Sequence, residues 1–250
     1  MKKKPLVSII ITYYKKIHFI EKTLKSILNQ SHNNYELIFV YDDDSKLDLK
    51  KIKKFLKKFK KKKLIINKKN LGVAKSRNNA ITHAMGDYIA FLDSDDIWKK
   101  DKLKTQLNFM IKNLVEFSFT SYGIIDEEDK LLITRRVKKN AYYNDLIKTN
   151  IIGLSTVIVN KNLLSKLRFP NLKTQEDYAL WLNLLRQGVK LNHFNKVLSY
   201  WRKTNNSLSS NTVNKIFDAF RLFYKYEKKN LLSSITSVII LSLNKILKNF

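Results

Sequence analysis

A chain of 250 residues that is 44% hydrophobic and 12% aromatic can bury a full core, which excludes a disordered protein. Cysteine is absent, so disulfide frameworks, thiolate metal sites and cysteine nucleophiles are excluded, and a reducing, cytoplasmic compartment fits. The formal net charge of +28 draws anions. Lysine is spread along the whole chain while arginine, the better reader of bases and phosphates, is scarce, a pattern that favours an anionic membrane surface over nucleic acid.

In chain order, the apolar stretch 6–11 behind Met1-Lys2-Lys3-Lys4-Pro5 is too short for a signal-peptide core. No run of about 18 uncharged apolar residues predicts a membrane span. Residues 7–12, apolar and β-branched, predict a first strand. Phe19, Ile20, Leu24, Ile27 and Leu28 then recur at helical spacing. A second strand is expected at 36–41, and Leu49, Ile52, Phe55, Leu56 and Phe59 form a helical stripe backed by lysines. A third strand at 64–67 leads through the turn Asn70-Leu71-Gly72 to a helix at 73–84 and a buried strand at 88–92. This alternation predicts an α/β fold, a mostly parallel sheet with helices on both faces. Ligands of such sheets bind at the carboxyl ends of the strands. Three strands end there in polar chemistry: Thr12-Tyr13-Tyr14, Asp42-Asp43-Asp44-Ser45 and Asp93-Ser94-Asp95-Asp96.

The last cluster sets three carboxylates together, which costs energy unless a cation compensates. A hard divalent ion, Mg2+ or Mn2+, held together with a substrate's phosphates explains it economically. The competing reading makes Ser94 or Asp96 the N-cap of a helix running to about Met110.

The second half is less regular. Strands are expected at 117–122 and 131–134 around the acidic turn 126–129, then at 155–159 and 197–201. Glu176-Asp177 precedes a helix with Leu180, Trp181, Leu184 and Leu185 on one face. From residue 212 the chain reads as helix, with Ile216, Phe217, Phe220, Phe223 and Tyr224 on its apolar side. No repeat or Pro/Gly-rich linker intervenes, so one domain, 1–210, carries a helical extension, 211–250. A basic amphipathic extension can lie on an anionic membrane, pack back on its domain, or join two copies as a homodimer.

Taken together, these motifs resemble the family 2 glycosyltransferases of the GT-A (Rossmann-like) fold. The resemblance rests on Ile11-Thr12-Tyr13-Tyr14-Lys15, Ser26-Ile27-Leu28-Asn29-Gln30, Asp42-Asp43-Asp44-Ser45, Asn70-Leu71-Gly72 with Arg77-Asn78, Asp93-Ser94-Asp95 and Glu176-Asp177, in that order over about residues 5–205. It implies transfer of a sugar from a nucleotide-sugar, a UDP-sugar first, to a saccharide or lipid-linked saccharide acceptor in a bacterial surface glycan such as lipopolysaccharide or capsule. By resemblance, Thr12 and Tyr14 line the base pocket and Asp43 accepts a hydrogen bond from the pyrimidine. Arg77 stands near the nucleotide, Asp93 and Ser94 near the ribose or metal, and Asp95 (with Asp93) holds Mn2+ or Mg2+. Asp177 is the general base of an inverting reaction, and Glu176 orients the loop or the acceptor. The chain departs from the pattern at Thr12, Tyr13, Lys15 and Asp44, where Pro, Thr, Asn and Gly are usual. Asp44 is expected to keep a left-handed turn. Tyr200-Trp201-Arg202-Lys203 with Ser207-Leu208-Ser209 resembles a late flexible loop over the diphosphate, and Trp181 and Trp201 read as core, with stacking on an acceptor ring as the alternative for either. One rival is a nucleotidyltransferase, which would carry a glycine-rich loop after the first strand. Another is a basic nucleic-acid- or membrane-binding protein on a decayed nucleotide-binding fold, which would have lost these acids.

Overall fold

Apolar β-branched runs alternating with amphipathic stripes build one mixed sheet in the computed structural model, which describes residues 4–165, 168–204 and 212–247. At its centre β1 (Val7–Tyr13) lies parallel between β2 (Tyr35–Tyr41) and β4 (Tyr88–Phe91), and β3 (Lys62–Ile66) continues the parallel half beyond β2. On the other side β8 (Ile158–Asn160) runs antiparallel to β4, and β6 (Phe117–Ile125) antiparallel to β8. The order continues through β9 (Asn192–Arg202), parallel to β6, to the short β5 (Ile97–Trp98), while β7 (Leu131–Arg135) forms a hairpin with β6.

Successive side chains of a strand point to opposite faces, so each central strand feeds two cores. Val7, Ile9, Ile11 and Tyr13 pack under α1 (Ile17–Leu28), α2 (Lys46–Leu56) and α4 (Lys102–Lys112). Ile10, Ile38 and Val40 pack with α3 (Val73–Thr82) and share a continuous core with α7 (Glu176–Arg186). Because the sheet is covered on both faces, its parallel strands are largely apolar runs.

Several boundaries differ from the pattern reading. The run 155–159 is interrupted, with a 3-10 turn at Leu154–Thr156 preceding β8. Neither Ser94 nor Asp96 caps a helix; a turn and β5 follow, and α4 starts at Lys102 behind Asp101, whose side chain makes no capping bond. Asp96 is unavailable as a cap because its carboxylate is bonded across the sheet to Ser155 and Arg202. Strand β9 begins at Asn192, ahead of the expected 197, because its first half is polar and gives no alternating signal. It also runs through Arg202, so Tyr200-Trp201-Arg202 are strand residues; Ser207-Leu208-Ser209 lie outside the described residues. Trp181 is fully buried, whereas Trp201 is 37% exposed and not core. Asp44 has no positive φ, so the expected left-handed turn there is absent.

The tail comprises α8 (Thr212–Arg221), a π-helical turn (Leu222–Tyr226) and α9 (Leu231–Leu247). Leu222 and Phe223 enter the α7-side core, and Tyr226, Val238 and Leu241 pack against it. Tyr143 donates to Glu227 at 2.5 Å, and Asn244 Nδ2 to the Lys148 carbonyl at 3.0 Å. The tail therefore packs back on the body; the expected boundary at 210/211 lies outside the described residues. Among the described residues, no helix is long and apolar enough to cross a membrane.

Candidate active site

The three polar strand ends meet at the carboxyl edge of the parallel half. At the end of β2, buried Asp42 accepts from Asn67 Nδ2 at 2.7 Å and from the Leu71 and Gly72 N–H groups at 2.8 and 2.9 Å. It thereby fixes the loop that launches α3, where Gly72 sits at φ +81°, a conformation glycine adopts without strain. The neighbouring Asp43 accepts from the Lys15 N–H at 2.7 Å and the Asp44 N–H at 2.7 Å, which ties the end of β2 to the end of β1. Burial pushes the Asp43 carboxyl up, but these backbone donors outweigh it and hold it below the usual carboxylate range. Asp43 thus stays an ionised acceptor, and two oxygens with four lone-pair sites leave room for a further donor. Thr12 is half-buried beside it and Tyr14 is 37% exposed, with the Lys15 ammonium 5.1 Å from its ring centre.

The β4 end is wired differently. Asp93 accepts from Arg77 Nη2 at 2.7 Å through Oδ1, and its N–H donates to Ser155. Ser94 is buried, and its carbonyl accepts the Thr23 hydroxyl at 3.1 Å. Asp95 pairs with Lys16 Nζ at 2.8 Å, and Lys16 also donates to Thr204 at 2.9 Å. Asp96 is fully buried, accepting from Ser155 Oγ at 2.6 Å and the Arg202 N–H at 2.9 Å. Burial first, then the charges of Asp95 and Asp93, push its carboxyl well above the ordinary range. Arg202, buried, also donates through Nε to the Asp95 carbonyl at 2.9 Å and pairs with Asp129 at 2.5 Å, locking the β6–β7 turn to the site.

Arg77 joins the β4 end to α7. Buried on α3, it bonds Asp93 with one arm and Glu176 with the other. Burial lowers its pKa, but the fields of Asp93, Glu176 and Asp177 outweigh that and raise it, so it stays charged. Asp177, next in the chain, is half-buried, with its Oδ1 held by the Tyr178 N–H at 2.7 Å. Burial and then the Glu176 charge push its carboxyl up to about 7, against the opposing pull of Arg77. A carboxyl poised there suits proton abstraction near neutral pH.

The turn before the dyad is braced from the tail. Gln175 has φ +62°, in the left-handed region, and donates from Nε2 to the Lys215 carbonyl at 3.1 Å. Thr174 gives both its N–H and its hydroxyl to Asp218 of α8, at 2.8 and 3.0 Å.

The sequence-assigned Arg77, Asp93, Glu176 and Asp177 form one charge network, and Asp95 adjoins it; Thr12, Tyr14 and Asp43 form a second group on the same edge. Arg77 stands as a carboxylate clamp rather than as a free cation. Lys16, Asp218 and Tyr122 escaped pattern reading, and the cross-sheet roles of Asp96 and Arg202 were not foreseen. Half-buried Tyr122 on β6, its hydroxyl pushed up first by burial, feels the charges of both Asp96 and Asp177. The scarcity of arginine was a usable signal: in a chain where lysine fills ordinary polar positions, Arg77 and Arg202 mark places that need a planar, multidentate donor. An open pocket lined by Lys15, Lys16, His18, Phe19, Lys22, Glu127, Glu128 and Thr204 lies beside the Lys16–Asp95 pair and carries charges of both signs.

Whether this edge can take a divalent cation is a question of donors. Asp93 and Asp95 are partly exposed, with opposing cations already present at 2.7 and 2.8 Å, so the pair stands where positive charge is held. Among the described residues no group of three or more His, Cys, Asp or Glu could enclose a metal. The set fits an ion bound by one or two carboxylates and completed by phosphate oxygens, the usual manner of Mg2+.

Comparison with known proteins shows the family. The family model described as Glycosyl transferase family 2 matches residues 8–164. The chain is 38% identical over 214 residues to TuaG of Bacillus subtilis (strain 168), a protein named provisionally as a teichuronic acid biosynthesis glycosyltransferase, covering 83% of each chain. It is 36% identical over 210 residues to the Escherichia coli UDP-Glc:alpha-D-GlcNAc-diphosphoundecaprenol beta-1,3-glucosyltransferase WfgD, covering 82% of this chain and 80% of that one. Among solved structures, S. aureus TarS 1–349 in complex with UDP-GlcNAc superposes with a TM-score of 0.74 at 21% identity, over 95% of this chain and 70% of TarS, a likeness of fold.

Proposed function

The chain belongs to glycosyl transferase family 2 and is a glycosyltransferase, and from that premise we propose that it transfers a sugar from a UDP-sugar, with inversion, to a hydroxyl of a lipid-linked saccharide in bacterial surface-glycan synthesis. One observation carries the catalytic assignment: a half-buried carboxyl, Asp177, poised at about 7 beside the Arg77–Glu176–Asp93 network at the ligand edge. WfgD, whose name gives a UDP-Glc donor and a diphosphoundecaprenol-linked acceptor, supports the donor and acceptor classes.

In this reading Asp43, ionised and held by backbone donors, accepts the ring N–H of the uracil, with Thr12 and Tyr14 beside the base. Lys15 and Lys16, on one wall of the mixed-charge pocket, face the diphosphate. Asp177 takes the proton of the acceptor hydroxyl as its oxygen bonds the anomeric carbon from the face opposite the diphosphate. The bond from that carbon to the diphosphate oxygen breaks, and the electron pair leaves with UDP. Glu176 holds Arg77, which keeps the dyad loop against the β4 end. Asp95, with Asp93, would hold Mn2+ or Mg2+, which when bound neutralises charge on the leaving diphosphate. Lys16 must then release Asp95 or share it.

The test is calorimetric titration with UDP, GDP and dTDP, with and without Mn2+, on wild type and Asp95→Ala. Metal-dependent binding of UDP that the substitution abolishes is the expected result. Folded protein that binds none of the three overturns the proposal. The rival reading as a decayed binding protein predicts loss of acids, whereas Asp43, Asp93, Asp95 and Asp177 all stand at one edge.

A further inference from the structure

The tail turns its leftover apolar surface outward. On α8 and the π-helical turn, Val213, Phe217 and Tyr224 are 62%, 65% and 52% exposed, and the Phe220 ring stacks on Tyr224 at 5.5 Å. Their spacing is that of one helix face. On α9, Leu232, Ile235, Ile239 and Leu243 are 76%, 44%, 52% and 51% exposed, again one face. No charged residue occurs anywhere in 231–243. Single exposed leucines need no explanation, but two stripes on helices packed against each other do.

The surrounding charge says what can cover them. The acids of residues 212–247 are Asp218 and Glu227, and both are buried and hydrogen-bonded, to Thr174 and Tyr143. The exposed charge of the tail is therefore cationic, with Lys225 and Lys228 standing between the two stripes in the chain and Arg221, 3.6 Å from Asp218, within the first. A second copy would bring the same cations against these and the same +28 net charge. An acidic protein partner would match the cations but gives no reason for an uncharged face as long as α9. A bilayer bearing anionic headgroups satisfies both features, with apolar side chains at the acyl boundary and lysines at the headgroups.

We propose that the exposed faces of α8 and α9, centred on Phe217, Leu232 and Ile239, dock on an anionic lipid surface. This takes up the lipid-linked acceptor proposed above and names the surface that would bring the enzyme to it. Its test needs no donor, metal or acceptor, so its failure leaves the transferase reading standing.

The experiment is flotation of the full chain with vesicles of phosphatidylcholine alone or with about one-third phosphatidylglycerol, at low and high salt. The expected result is binding to the anionic vesicles at least about tenfold stronger than to the neutral ones, weakened by salt as screening requires. Leu232→Ser with Ile239→Ser should reduce it at least about tenfold, with unchanged circular dichroism and melting temperature. Phe217→Ser, on the other helix, gives a second, independent readout in the same direction. Three results overturn the proposal: no binding to anionic vesicles, binding untouched by these substitutions, or a mass by light scattering that shows a dimer which the same substitutions dissolve while vesicles are ignored.

Discussion

Replacing Asp177 with Asn should make the protein more stable in mild alkali while removing most of its turnover. The carboxyl is moved from 3.8 to about 7, first by burial and then by the Glu176 charge. At ~1.4 kcal/mol for each factor of ten, holding it ionised costs the folded state about 4 kcal/mol. The folded-state pKa is raised, so the penalty is absent below about pH 4, grows as pH rises toward 7 and is constant above. Asn cannot ionise and escapes it. Urea unfolding at pH 8 and pH 5 should therefore show the Asn variant gaining more at pH 8, by about 2.5 kcal/mol relative to its gain at pH 5. Loss of the general base should cut kcat by about 10²–10⁴, and the wild-type kcat/KM profile should fall on the acid side of about pH 7 as the base is protonated. Equal stabilisation at the two pH values, or a kcat within tenfold of wild type, would refute the assignment of a strained base to Asp177.

Arg77→Met leaves Glu176 buried without its cation and Asp93 unpaired, and should lower stability by about 3–5 kcal/mol in urea unfolding at pH 7; a loss under 1 kcal/mol would mean that the clamp is absent in solution. Asp42→Asn turns one acceptor into a donor facing backbone N–H groups or the Asn67 amide, and should cost about 1–3 kcal/mol by the same assay. Asp218→Ala removes the acceptor of both Thr174 donors; kcat should fall about 10–100-fold while UDP affinity, read by calorimetry, stays within about twofold, because the displaced loop carries the base and not the nucleotide contacts.

The parallel half of the fold and most of its site lay open in the sequence, because each central strand there is a continuous apolar run that stops abruptly at polar residues. Val7–Tyr13, Tyr35–Tyr41 and Tyr88–Phe91 end where Thr12-Tyr13-Tyr14, Asp42-Asp43-Asp44 and Asp93-Ser94-Asp95-Asp96 announce them. The other half was harder for a definite reason. Strand β9 opens with half-exposed Asn192 and His193 and slips register against β6, so no alternation marks it. The brace from Asp218 to Thr174 joins positions 44 residues apart, and nothing local in either segment signals it. Lys16 looked like one more lysine of a lysine-rich chain, and its contacts with Asp95 at 2.8 Å and Thr204 at 2.9 Å set it apart. A helix cap was the competing reading for Ser94 or Asp96, since a polar residue after a strand often is one; for Asp96, long-range bonds to Ser155 and Arg202 rule it out.

The site also shows why so cationic a chain needs local charge control. Asp93, Asp95, Asp96, Glu176 and Asp177 gather within one network around Lys16, Arg77 and Arg202. Surface lysines elsewhere cannot relieve this crowding, since exposed charges more than a Debye length away, roughly 8–10 Å, are largely screened. The crowding shows in the titration instead: Asp95, Asp96, Glu176 and Asp177 all have raised pKa values, with burial the largest cause of each. A nucleotide diphosphate would add negative charge to the same edge. Binding it there favours bringing positive charge along, from the Lys15–Lys16 pocket, from a divalent ion at Asp95, or from both. The crowding that would make such a ligand welcome only with its counter-charge is the same crowding that lifts Asp177 into the range of a working base, so donor binding and proton abstraction draw on one electrostatic arrangement.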